Sequence, residues 1–390
     1  MQKKRFAAMI AAAATASMLL AACGSATTSS GSQPIQIGVP VPLSGPYASA
    51  GQDIVDGAKL AAAKINSSGG VLGRKIEIVP QDDACDPQTG AQAAQKLLSD
   101  GVVAVAGGYC SSASLPELNV FHSNGDIPFV LDASTSPSLT EQGYNDVFRT
   151  IGRDDEQGPF AANFIANYLH AKTVVVMDDN TTYAHGLAMN TISALAKDGI
   201  KAIHQVITPN QSDYTSELTH IASLHPDVLY YTGYFTEAGL LLKQARSLNL
   251  KFTIMGGDAT NDPTVIKTAG AAANGFIITT APLAQFLGTA KSYVSAYQSK
   301  FGSAPGPYSV YEYDAVMVLA KAIQSAGSTD AKKINAALHK VKDYHGVTGT
   351  FSFNKIGDRT PAVYITLKIV NQQFTAYKEL NSSGQWVNVP

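Results

Sequence analysis

Short β-branched runs alternate with stretches in which apolar residues return every third or fourth position, from Ile35 almost to the end of the chain. The runs predict strands at Ile35–Val41, Ile76–Val79, Val102–Ala106, Ile127–Leu131, Thr173–Met177, Ile200–Val206, Val228–Thr232, Phe252–Met255 and Gly275–Thr279. Between the first two, Ile54, Ala58, Ala61, Ala62 and Ile65 keep helical spacing and stop at Asn66-Ser67-Ser68-Gly69-Gly70, a breaker cluster. The same reading predicts helices over Asp86–Ser99, Gln157–His170, His185–Lys197, Asp213–Leu224, Glu237–Leu248, Tyr311–Ala326 and Asp330–Val341. Apolar strands alternating with helices call for parallel sheets covered on both faces.

Nine strands would make one large sheet, and the rhythm breaks around Arg149–Arg153 and again at Ala281-Pro282-Leu283. The expectation is an α/β protein of two doubly wound lobes joined by a multi-crossing hinge. The first lobe takes residues 35–151 plus 282–357, and the second takes 152–281 plus 358–390. A closing strand pair, Tyr364–Val370 and Phe374–Glu379, adds antiparallel character. The lobes share an architecture but no tandem sequence repeat.

The N-terminus has its own pattern. Lys3, Lys4 and Arg5 precede an apolar stretch too short to span a membrane, which ends in small residues at Leu20-Ala21-Ala22-Cys23. Residues 1–22 are expected to be an export signal, and the small, polar segment 23–34 a flexible tether. A cysteine at the cleavage point resembles the lipobox of bacterial lipoproteins, which implies a lipid on Cys23. An ordinary secretory signal with an incidental cysteine is the alternative. Either reading puts the folded body outside the cytoplasm, in the periplasm or on the outer face of the membrane.

Composition narrows the function by exclusion. A net charge of −2 and 15% charged residues imply no polyanion partner, and nucleic acid is not expected. Two cysteines remain in the body, Cys85 and Cys110, and in an oxidising compartment an even pair reads first as a disulfide. A thiolate metal site would need further ligands, and His122 is the only histidine close by, so no metal is expected. An exported enzyme would need a nucleophile with its base, a metal cluster or a phosphate loop. No His-Glu-x-x-His helix or Gly-x-Ser-x-Gly elbow occurs, and His185, His220 and His225 read as helix-surface or helix-end residues. Gly69-Gly70-Val71-Leu72-Gly73 lacks the strand and the Lys-Ser/Thr ending of a phosphate loop, so no cofactor is expected.

Open parallel sheets bind ligands beyond the carboxyl ends of their strands, and three such places are chemically suggestive. Gly107-Gly108-Tyr109-Cys110-Ser111 leads into a helix, where Ser111 offers a hydroxyl beside free N–H donors suited to a small carboxylate. Asp132-Ala133-Ser134-Thr135-Ser136-Pro137 is a second hydroxyl-bearing turn. Each also reads, taken alone, as an ordinary helix N-cap. Tyr183, Tyr234 and Asp258 each follow a strand of the second lobe, and two phenols with a carboxylate suit an ammonium group.

Six words in order make a sharper case. They are Leu43-Ser44-Gly45-Pro46, Asp82-Asp83-Ala84-Cys85-Asp86-Pro87, Tyr109-Cys110-Ser111-Ser112, Asp155-Glu156-Gln157-Gly158-Pro159, Tyr230-Tyr231-Thr232-Gly233-Tyr234 and Gln244-Ala245-Arg246. From Ile35 to about Glu379 the chain resembles the leucine/isoleucine/valine-binding protein family, the type I periplasmic substrate-binding proteins of ABC importers. The resemblance implies that Ser111, Thr135 and the Ala133 backbone, with Ser134 beside them, hold a ligand carboxylate. It implies that Tyr183, Tyr234 and Asp258 meet the ammonium from the opposite lobe. Tyr109, Cys110 and Tyr308 would line the side-chain pocket, and Cys85–Cys110 would match the family disulfide.

Three departures bear on the ligand. Asp258 is one methylene shorter than the family's glutamate. Ala50 replaces an aromatic, with Tyr47 near enough to substitute, and Asp132 adds a charge. The expectation is a lipid-anchored monomer that binds a branched-chain or other aliphatic amino acid and delivers it to a membrane permease. Another small solute (a urea, a short amide) or a ligand-sensing receptor on the same fold are the alternatives.

Overall fold

The computed structural model describes residues 33–389, so the export signal, Cys23 and the tether as far as residue 32 lie outside the described residues. Gln33 and Pro34, counted with the tether above, are held in place: Arg74 donates to their carbonyls at 2.6 and 3.1 Å. No helix among the described residues is long and apolar enough to cross a membrane.

The first half alternates as expected: β1 (Ile35–Val41), α1 (Ala48–Ser67), β2 (Ile76–Asp82), α2 (Pro87–Asp100), β3 (Ala104–Gly107), α3 (Ser111–Ser123), β4 (Phe129–Leu131) and β5 (Val147–Arg149). These strands form a parallel sheet in the order β2-β1-β3-β4-β5. Successive side chains of a strand point to opposite faces, and β3 shows the consequence. Ala104 and Ala106 join the core that the helix Ser309–Ala326 (α10) covers, whereas Val105 joins a second core with Leu97 of α2 and Phe121 of α3. Small residues on one face let α10 lie close, and a branched residue on the other joins the core shared with α2 and α3.

The chain then crosses to α4 (Asp154–Asn163), β6 (Val174–Asp178), α5 (Thr182–Lys197), β7 (Ile203–Val206), α6 (Thr215–Ser223), β8 (Val228–Tyr231), α7 (Phe235–Ser247), β9 (Thr253–Gly256), α8 (Pro263–Ala269) and β10 (Ile277–Thr280). It continues with α9 (Lys291–Phe301), α10 (Ser309–Ala326) and α11 (Ala331–Leu338), and α10 packs on α1, β3 and β4 of the first sheet. A small antiparallel sheet of β11 (Tyr344–Gly346), β12 (Gly349–Phe353) and β13 (Arg359–Thr360) follows. The ending, β14 (Ile365–Val370), β15 (Gln373–Leu380) and β16 (Trp386–Asn388), extends the second sheet antiparallel to β10. That sheet runs β16-β15-β14-β10-β9-β8-β6-β7.

Three expected strands begin late for one reason. Val102, Ile127 and Ile200 donate their N–H groups back to Leu97, Phe121 and Leu195, closing the ends of the preceding helices instead of joining a ladder. An apolar residue just past a helix end is a helix-closing contact of this kind as readily as a strand start. The helix expected at Gln157–His170 starts at Asp154 and finishes in a π turn, Phe164–Tyr168. Val147–Arg149 is a fifth strand that was not among those expected, and the chain crosses after it, before α4 begins at Asp154.

The crossings are tied together. Asp358 meets Arg149 Nε at 3.1 Å and Arg153 Nη1 at 2.8 Å, and accepts from Thr140 Oγ1 at 2.9 Å. Arg359 donates to the Thr150 carbonyl, Tyr364 to that of Arg153, and Tyr311 to that of Pro282. Gly152 has no room for a side chain, since a Cβ there would lie 2.0 Å from the Tyr364 hydroxyl oxygen.

Candidate functional site

The loops at the carboxyl ends of both sheets meet, and most of the expected ligand residues lie there. β3 turns into α3 through Gly107 and Gly108, with φ of 131° and 91°, conformations that glycine adopts at little cost. A Cβ on Gly108 would also strike the Ser114 hydroxyl at 2.7 Å. This turn delivers Tyr109, Cys110 and Ser111, all buried, and the disulfide Cys85–Cys110 clamps it, with Cα atoms 5.3 Å apart. After β4 the second turn brings Ala133, Ser134 and Thr135 alongside, also buried.

These hydroxyls have different duties. Ser134 Oγ donates to the Gly108 carbonyl at 2.9 Å and lies 2.8 Å from Ser114 Oγ, so it locks one turn onto the other. Ser111 Oγ accepts from the Ser136 N–H at 3.3 Å. Thr135 Oγ1 is buried with no hydrogen-bond partner among the described residues. A buried hydroxyl left unpaired costs about 1–3 kcal/mol, which a ligand oxygen would recover.

The second sheet supplies the opposite wall. Tyr183 lies in the first turn of α5, Tyr234 caps α7, and Asp258 follows β9. The Tyr183 hydroxyl donates to Asp258 Oδ1 at 2.7 Å, and the Tyr308 hydroxyl approaches Oδ2 at 3.3 Å. Tyr308 leads into α10, which packs on the first sheet, so this contact joins the two walls. Burial raises the Asp258 carboxyl above its usual range, and the hydrogen bond from Tyr183 opposes that only in part. The Tyr183 and Tyr308 hydroxyls are pushed up by burial and by the neighbouring Asp258 charge.

Aromatic rings close the space between the walls. Tyr47 packs 4.8 Å from Tyr234 and 6.2 Å from Tyr109, centroid to centroid. Tyr109 lies 5.5 Å from Tyr308, and Tyr183 lies 5.4 Å from Tyr234. Tyr47 thus stands where the sequence suggested an aromatic to offset Ala50. Ring faces attract cations, and Asp258 places a carboxyl at the same wall.

One member of the site escaped the sequence reading. Asp154, the first residue of α4, is fully buried and neither carboxylate oxygen has a hydrogen-bond partner among the described residues. Its carboxyl is held well above the usual range by burial and by the charge of Asp258. Thr135 lies near enough to temper this without reaching hydrogen-bonding geometry. The signal available in the sequence was position alone, just past a crossing and beside the word Asp155-Glu156-Gln157-Gly158-Pro159. Asp132, flagged for its extra charge, lies beneath the first-sheet turn, and its carboxyl is raised by burial and by Asp53.

Two wound sheets whose carboxyl-end loops face each other across a buried, tyrosine-lined site have the architecture of type I periplasmic binding proteins. The chain belongs to the periplasmic binding protein family, whose model matches residues 34–369. Among curated proteins it is 32% identical over 356 residues to the leucine-, isoleucine-, valine-, threonine- and alanine-binding protein of Pseudomonas aeruginosa, covering 91% of this chain and 92% of that one. It is 34% identical over 346 residues to a Leu/Ile/Val-binding protein of Rhizobium johnstonii, covering 88% and 91%. Among solved structures it resembles a leucine-binding protein of Thermotoga maritima, at 29% identity and a TM-score of 0.84, covering 90% of this chain and 99% of that one. It also resembles a branched-chain amino acid transporter substrate-binding protein of Streptococcus pneumoniae in complex with isoleucine, at 26% identity and a TM-score of 0.81, covering 91% and 99%. These relatives are named as binding proteins.

Proposed function

We propose that this chain is the exported, lipid-anchored receptor of an ABC importer. It binds a branched-chain or other aliphatic amino acid between two lobes and passes it to a membrane permease. The lobes are residues 35–151 plus 282–357 and residues 152–281 plus 358–390, and the protein acts as a monomer without cofactor or metal in its ligand site. The observation that carries this reading is Asp258, a buried carboxylate held by Tyr183 and Tyr308 opposite the unpaired Thr135 hydroxyl.

In this reading Ser111, Thr135 and the Ala133 N–H take the ligand carboxylate. Asp258 and the hydroxyls of Tyr183 and Tyr234 take the ammonium, with Asp154 as a second acceptor nearby. Tyr47, Tyr109, Cys110 and Tyr308 surround the side chain. A leucine-sized group contributes about 1.5–3 kcal/mol when fully buried, so the apolar pocket tunes the choice of ligand. An ammonium left unpaired in the buried site would cost about 3–5 kcal/mol, so the charged contacts decide whether binding occurs at all.

Calorimetry with the common amino acids, on protein unfolded and refolded to remove carried-over ligand, tests the proposal. Leucine, isoleucine or valine should bind, and heat from none of the amino acids would overturn it. A second reading, a more polar solute such as a short amide or a urea, is favoured by the pair of buried carboxyls, Asp154 and Asp258, and the same calorimetry run with acetamide and urea distinguishes it.

A further inference from the structure

On the second sheet, outside the tyrosine-lined site, three metal-ligating side chains converge. Asp178 ends β6 with its side chain fully buried, His204 stands on the neighbouring edge strand β7, and His185 sits in the first turn of α5. His204 Nε2 lies 2.6 Å from Asp178 Oδ2, and His185 Nδ1 lies 3.3 Å from the same oxygen. The three ligand atoms all fall within 4.8 Å of one another, and the two imidazole centroids are 5.7 Å apart. Asp178 Oδ1 is occupied separately, accepting the Asn180 N–H at 2.8 Å, which fixes the direction in which Oδ2 points.

We propose that Asp178, His185 and His204 form a binding site for a divalent transition-metal ion of the zinc, nickel or copper class. Two imidazoles and a carboxylate are the donor set these ions select over calcium or magnesium, which prefer oxygen alone. An ion with bonds of about 2.0–2.1 Å in tetrahedral geometry spaces its ligand atoms roughly 3.3–3.4 Å apart. His185 already meets that spacing from Asp178 Oδ2, and the two imidazole nitrogens, within 4.8 Å of each other, settle to it around the ion. His204 has to swing out by roughly 0.7 Å to reach it, and its side chain is 31% exposed on an edge strand. His185, with a side chain 46% exposed, leaves the remaining coordination positions open to water.

The hydrogen bond from the Asn180 N–H orients the Asp178 carboxylate before the ion arrives. A bound ion would pin the first turn of α5 to the sheet edge, and that turn also carries Tyr183. His185 and His204 belong to different elements, so their spacing in the chain carries no metal signature, and His185 alone reads as a helix-surface residue.

The test is a titration of the full chain, carrying no affinity tag and stripped with EDTA, with zinc chloride and separately with nickel chloride. Calorimetry should show one equivalent bound, and zinc should raise the melting temperature. His185→Ala and His204→Ala should each weaken binding at least tenfold, whereas His220→Ala, on the exposed face of α6, should bind as the wild type does. If His204→Ala fails to fold in EDTA, His185→Ala at its more exposed position decides alone. No saturable binding by the wild type, or affinity unchanged in His185→Ala, would overturn the site.

Discussion

The Tyr183 hydroxyl donates to Asp258 Oδ1 at 2.7 Å while Tyr308 approaches Oδ2 at 3.3 Å, so both oxygens of one buried carboxylate are addressed by phenols. Phenols orient the carboxylate but do not neutralise it, which leaves its charge for a cation. Asp258→Asn keeps the shape and removes the charge. Calorimetry should find amino-acid binding weakened at least a hundredfold, equivalent to about 2.7 kcal/mol. Melting in the absence of ligand should show the variant at least as stable as the wild type, because the charge it removes is one that burial disfavours. Normal binding by the variant would remove Asp258 from the site and make Asp154 the next candidate.

Binding should be linked to protons with a definite sign. Burial raises the Asp258 carboxyl above 3.8 in the ligand-free fold, and an ammonium ligand favours the ionised form. Below its ligand-free pKa, binding must therefore expel a proton, so affinity should rise with pH up to that value and flatten above it. Ligand-free stability should move the other way. The unfolded chain loses this proton first, so stability falls as pH rises from about 3.9 until the folded carboxyl also ionises. Titrations in buffers of different ionisation enthalpy read the proton release directly, and Asp258→Asn should abolish it.

Cys85 and Cys110 are bonded across 25 positions of sequence, and the bond clamps the turn that carries Tyr109 and Ser111. A chain starting at Gln33, denatured without reductant, should show no free thiol. In the chain-entropy model a loop of this length stabilises the fold by roughly 3.5 kcal/mol, and Cys85→Ser should lower stability by an amount of that order. Two free thiols in the denatured chain would refute the pairing in the mature protein.

Asp358 holds two arginines at the crossings, and Arg149 is wholly buried beside it. Burial lowers the Arg149 pKa, an effect that the Asp358 charge opposes. Asp358→Ala would leave a guanidinium without a counter-charge, and chemical denaturation should show a loss of about 3–5 kcal/mol. A loss under 1 kcal/mol would mean that water reaches Arg149 and the pair contributes little.

Much of this architecture was legible because buried parallel strands advertise themselves: β1, expected at Ile35–Val41, forms over those residues. What stayed hidden depends on partners distant in sequence. Val147–Arg149 did not read as a strand because an arginine closes a three-residue run, and its counter-charge arrives only at Asp358. Asp154 reads locally as one of three acids in the first turn of α4, with Asp155 and Glu156, a common favourable placement at a helix start. Only the fold shows that Asp154 is buried near Asp258 and Thr135 while Asp155 pairs with Arg153. Ser134 went the other way, a hydroxyl with the right address that the two turns use to bind each other.

Ser111 and Thr135 sit at the first sheet, and Tyr183, Tyr234 and Asp258 at the second, so a ligand bridging them favours the state in which both sets are within reach. Tyr47 against Tyr234 and Tyr308 against Asp258 are contacts between the walls that opening would break. The crossings at Arg149–Arg153, Thr280–Leu283 and Ile356–Ala362 should take up the rotation, each lobe moving as a rigid body. Small-angle scattering of refolded, ligand-free protein should show the radius of gyration falling when a saturating amino acid is added. Asp258→Asn should stay extended at the same ligand concentration. A profile that does not change, with binding confirmed on the same sample, would mean the walls are already closed without ligand or that a single lobe holds the site.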